Sequence, residues 1–69
     1  MKEEWQVDPT WKATKEWCLD LYTDGKLGPQ TIYVDKKTHK LQKWNMHKDS
    51  GPTWEDLKPI ILKYEIKKI

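Results

Sequence analysis

Residues 8–25 read DPTWKATKEWCLDLYTDG, and the fold turns on how this stretch is read. Asp8 is a residue type that caps the free amides at a helix start, and Pro9 suits a first helical position. At 100° per residue, Trp11, Thr14, Trp17, Cys18, Leu21 and Tyr22 fall within an arc of about 140°, with Lys12, Lys15, Glu16 and Asp20 outside it. The spacing predicts a helix over 11–22, with Leu19 off the stripe and partly exposed. Asp24-Gly25 then supplies a left-handed stop. Residues 26–30, with Gly28-Pro29, read as a loop.

Working outward, Thr31 to His47 reads as a β-hairpin. Thr31, Ile32, Tyr33 and Val34 are strand formers. Asp35 opens the turn 35–40, and His39 stands where a left-handed residue closes it. Pairing Asp35 with Lys40 sets Val34 against Leu41, Tyr33 against Gln42 and Thr31 against Trp44. One face then carries Ile32, Val34 and Leu41, and the other Tyr33, Trp44 and Met46. Residues 48–52 form a loop. Thr53-Trp54-Glu55-Asp56 resembles a capping box, and a helix over 54–67 follows. Pro59 inside it, and the alternation of Ile60, Leu62, Tyr64 and Ile66, leave a third strand over 60–67 as the alternative. Residues 1–7 are either a flexible arm or a short edge strand. The expected fold is thus a small single α+β domain spanning 1–69, ordered helix, β-hairpin, C-terminal helix (αββα). Pro-Thr-Trp at 9–11 and again at 52–54 is too short to define a repeat.

A chain of 69 residues has a small core and needs a staple. Cys18 is the only cysteine, which excludes an intrachain disulfide, and Cys18, His39 and His47 fit no zinc spacing. Five tryptophans and three tyrosines are the remaining staple. Each buried ring contributes on the order of 4–6 kcal/mol before entropy is subtracted. The lone cysteine, with no signal segment and no run of membrane length, points to a cytoplasmic protein, in a host's cytoplasm if the gene is a phage's.

No catalytic constellation stands out. Cys18 falls on the apolar stripe, His39 in a turn and His47 at a strand end. The acid pairs Glu3-Glu4 and Glu55-Asp56 read as solvated charge and as a helix start. The expectation is a non-enzyme with no cofactor and no metal. Binding is the remaining class. An exposed Tyr33, Trp44 and Met46 face, rimmed by Lys40 and Lys43, would suit a protein partner or a second copy of the chain.

Charge offers the alternative. Residues 1–35 carry four lysines against seven acids, net −3, and residues 36–69 nine against four, net +5, which together give +2. Lys36, Lys37, Lys40, Lys43 and Lys48 would meet phosphates while Trp44 or Tyr33 stacked on unpaired bases. All thirteen basic residues are lysine, which argues against sequence-specific reading of DNA, where arginine is the usual contact. A membrane-surface role lacks the paired faces it requires. Size and composition suit a small accessory or inhibitor protein of a phage or mobile element.

Overall fold

The computed structural model describes residues 2–12 and 14–67. Four strands, β1 (Glu3–Val7), β2 (Glu16–Thr23), β3 (Lys26–Asp35) and β4 (Leu41–Trp44), precede one helix, α1 (Trp54–Lys67). The strands form an antiparallel sheet in chain order, β1-β2-β3-β4. The αββα expectation is therefore overturned: the fold is mostly β, with its one described helix at the end.

The correction lies in residues 8–25. In place of a helix over 11–22, residues 16–23 alternate with period two. Trp17, Leu19 and Leu21 take one face, and Glu16, Cys18, Asp20 and Tyr22 the other. Leu19, off the helical stripe, is 0% exposed. Asp24-Gly25 is a hairpin turn rather than a helix stop. Both residues have positive φ, 53° and 80°, as a two-residue type I′ loop requires, and Thr23 pairs with Lys26 across it. Asp-Gly between strand formers is a strong hairpin signal, and it outweighs the helical period. Residues 26–30 likewise belong to β3 rather than to a loop. The β2–β3 register shifts between Asp20 and Tyr22, and this irregularity accommodates Pro29 within a strand. Residues 3–7 form an edge strand, which decides the reading of the N-terminal segment over the part of it that is described.

The second hairpin pairs as its sequence implies: Thr31 with Trp44, Tyr33 with Gln42, Val34 with Leu41. Asp35 N donates to Lys40 O at 3.0 Å, and the Asp35 carboxylate accepts the amides of Lys37 and Thr38. His39 takes the left-handed conformation at φ 63°. The register builds continuous rows across the sheet. Val7, Leu19, Ile32 and Lys43 form one, and Trp17, Val34 and Leu41 another.

Helix α1 covers these rows with Leu57 and Ile61. They join Leu19, Ile32 and Val34 as the buried core, flanked by Trp5, Val7, Trp17, Leu41, Met46, Trp54 and Ile60. Residues 60–67 are helical, so the strand alternative falls. The Asp56 carboxylate accepts Thr53 N at 2.9 Å and Thr53 Oγ1 at 3.1 Å, which fixes the helix start. Pro59 removes one hydrogen bond at a cost of up to about 3 kcal/mol. Burying Leu57 and Ile61 returns about 1.5–3 kcal/mol each, so the helix runs through it. Trp17 Nε1 donates to Glu65 Oε1 at 2.8 Å and ties the far end of α1 to β2. No helix among the described residues is long and apolar enough to cross a membrane.

Candidate functional site

The helix covers one face of the sheet and leaves the other open. Strand alternation gives the open face Glu4 and Gln6 from β1, then Glu16, Cys18, Asp20 and Tyr22 from β2. β3 adds Leu27, Thr31 and Tyr33, and β4 adds Gln42 and Trp44. Trp44 is 65% exposed and Leu27 63%. Trp11, in the loop between β1 and β2, packs its ring at 5.1 Å from that of Tyr33, tilted by 44°. Between the aromatic groups Thr31 Oγ1 donates to Asp20 Oδ1 at 2.9 Å, which fixes a polar floor. The strand residues of this face include four acids, Glu4, Glu16, Asp20 and Asp35, and no lysine.

Burial raises the Tyr33 phenol above its ordinary pKa, and Cys18, Glu16 and Asp20 add to the shift. The ring therefore stays neutral and offers a hydroxyl at neutral pH.

The predicted binding residues divide between the two faces. Tyr33 and Trp44 share the open face, and Lys40 lines a recess of about 260 Å³ there with Glu16, Tyr33 and Gln42. Met46 does not join them. Asn45 has φ 62°, the alternation breaks after Trp44, and Met46 packs against the core on the helix side. Lys43 shares the row of Ile32, and its Nζ donates to the Ser50 carbonyl. Lys36 lies over the Trp17 ring at 5.5 Å. Lys37 and Lys48 are exposed. Apart from Lys40, the lysines of the hairpin are thus not brought together with Trp44 on one surface. Sequence reasoning missed Trp11, Leu27 and Asp20 as members of the open face, because it placed them on a helix or in a loop.

The helix side carries its own aromatic ladder. Trp17 and Trp54 stack at 6.3 Å, and the His39 ring stacks on Trp54 at 4.0 Å. His47 Nδ1 accepts the Asp49 amide at 3.1 Å. Neither histidine has a hydrogen bond to Cys18 among the described residues. Burial, then Asp20, Asp8 and Glu16, push the Cys18 thiol up to about 11, so it stays protonated at neutral pH. Asp8, Cys18 and Asp20 cluster within 4.8 Å. Both carboxylates already have partners: Asp8 Oδ1 accepts Thr10 N and Thr10 Oγ1, and Asp20 accepts Thr31. The cluster has neither the ready thiolate nor the histidine base that nucleophilic chemistry requires.

No protein-family model matches the chain, and no match was found among curated proteins or solved structures.

Proposed function

We propose that the chain is a non-enzymatic protein-interaction module whose contact surface is the open sheet face centred on Trp44 and Tyr33. One observation carries this reading. Trp44 stands 65% exposed on a sheet face that α1 leaves bare, beside the packed Trp11–Tyr33 pair. Rigid aromatic side chains on a strand scaffold supply contact area at low entropic cost, and they are the residue types that dominate interface cores. Glu16, Asp20 and Asp35 near them, with Glu4 across the sheet, favour a partner with basic residues about an apolar centre. A two-fold contact of this face with itself would set acids against acids, so a foreign protein suits the face better than a second copy. An inhibitor or accessory protein acting by occlusion fits this description, in the cytoplasm of a cell or of a phage's host.

Nucleic-acid binding is the weaker reading. The strands of the aromatic face contribute acids and no lysine to it, Lys40 at its turn end is set among Glu16 and Asp35, and Lys36 and Lys43 are engaged on the helix side. The test is a pull-down from the native host with the wild-type chain and with Trp44→Ala, beside titration of labelled DNA and RNA at two salt concentrations. The expected result is a protein captured by the wild type alone, and no oligonucleotide binding at physiological salt. Oligonucleotide affinity that falls steeply between about 50 and 200 mM salt would replace the proposal with the nucleic-acid reading.

A further inference from the structure

The sheet has two edges, and they are guarded differently. At β4, Asp35 N donates to Lys40 O. The hydrogen-bonded pairs are therefore 35/40, 33/42 and 31/44, and within β4 only Leu41 and Lys43 turn their backbone groups outward. The loop that follows folds back there, with Lys43 Nζ donating to the Ser50 carbonyl. At β1, Asp8 N donates to Cys18 O at 2.8 Å and Asp24 N to Lys2 O at 2.9 Å. With Glu4 opposite Tyr22 and Gln6 opposite Asp20, the even-numbered residues bond β2. The N–H and C=O groups of Glu3, Trp5 and Val7 then point away from the sheet, three outward positions along an edge with no neighbouring strand among the described residues.

Beside that edge lies a groove of about 540 Å³ between β1 and α1. Trp5, Val7, Pro59 and Ile60 give it apolar walls, and Lys63 and Lys67 stand along its helix rim. Glu4 and Gln6 also border it from β1, with their side chains turned by strand alternation toward the opposite face of the sheet, while Glu3 shares the strand face of Trp5. We propose that β1 accepts an extended acidic segment of another protein as a fifth strand. The backbone of the segment pairs with Glu3, Trp5 and Val7. An apolar side chain enters the groove, and acidic side chains two positions to either side of it meet Lys63 and Lys67. Charge selects this occupant. A second copy paired through its own β1 would bring a second Lys63 and Lys67 rim to the groove, which Glu3 of each chain offsets only in part. This surface is separate from the Trp44 face, and its test is independent of that reading.

The probe is the peptide acetyl-Thr-Glu-Thr-Val-Thr-Glu-Thr-amide, titrated into the isotope-labelled full chain with amide exchange read by NMR. Its control carries lysine in place of both glutamates. Shifts and protection at the amides of Glu3, Trp5 and Val7 are expected with the acidic peptide, and about tenfold weaker binding of the control. The double variant Lys63→Glu/Lys67→Glu, changed only at exposed positions, should stay folded and reverse the preference. Protection at Leu41 and Lys43 instead, equal binding of the two peptides, or no protection up to the solubility limit would overturn the proposal. So would protection of the same three amides on concentrating the chain alone, which would assign the edge to self-pairing.

Discussion

The two faces of the sheet are drawn from the same strands and differ in almost every physical respect. On the helix side Leu19, Ile32 and Val34 are 0% exposed and meet Leu57 and Ile61. One residue away, on the other side of the pleat, Tyr33 packs on Trp11 at the surface, and Trp44 stands in solvent. The aliphatic set has no polar atom to satisfy and can be sealed completely. The aromatic set keeps a hydroxyl and an indole N–H that water or a partner can meet. In a chain with so small a core, leaving a tryptophan outside gives up burial worth several kcal/mol. That loss, on one face only, is the physical basis for reading the open face as a binding surface.

The sharpest way to break the comparison is to charge each face in turn. Val34→Asp places an unpaired carboxylate at a fully buried position and should unfold the domain, measured by loss of the cooperative thermal transition. A folded Val34→Asp variant would mean that the helix side is not the core. Next in size is Trp17→Ala, which removes the ring between Trp54 and Lys36 and the hydrogen bond to Glu65. Since Trp17 is only partly buried, a loss of about 3 kcal/mol is expected by denaturant titration. A loss below about 1 kcal/mol would show that the ladder is surface decoration. Asp56→Ala removes the acceptor of Thr53 N and Oγ1 and should cost about 1 kcal/mol, with fraying of the first turn of α1 in amide exchange.

The smallest effect concerns pH. Backbone hydrogen bonds from Thr38 and Lys37 hold the Asp35 carboxyl below its ordinary value. Its contribution is complete above the unfolded-chain value of about 4 and is lost only as pH falls through the lower folded value. The turn amides of Lys37 and Thr38 should titrate in NMR with a midpoint below that of exposed carboxylates. A midpoint at the ordinary value would remove the cap from the account.

How much of this the sequence disclosed depends on whether local chemistry singled out one conformation. It did for residues 31–44. Asp35 at the head of a turn and His39 at its left-handed position fix the register, and the register fixes both faces. It did for the start of α1, where Thr53 and Asp56 stand at capping distance. It did not for residues 16–23, where Trp17, Cys18 and Leu21 suit a helical stripe as well as a strand face. Leu19 is the residue that separates the two periods, and Asp24-Gly25, equally at home after a helix or within a hairpin, had to be weighed with the strand formers around it. Gly28-Pro29 hid the first half of β3, because a register shift that tolerates proline leaves no local mark. Met46 was misplaced because alternation was extended one step past Asn45, where the backbone turns left-handed. With β2 unread, the partners of Tyr33 on the open face, Trp11 and the acids Glu16 and Asp20, were out of reach.

The most direct test of the central claim is Trp44→Ala, followed in one preparation by thermal unfolding and by binding to the captured partner. The account predicts a stability change within about 0.5 kcal/mol, as for an exposed position. It also predicts a loss of at least about 2 kcal/mol of binding free energy, as for a central anchor. A Trp44→Ala chain that unfolds, or that stays folded and binds its partner undiminished, would contradict it.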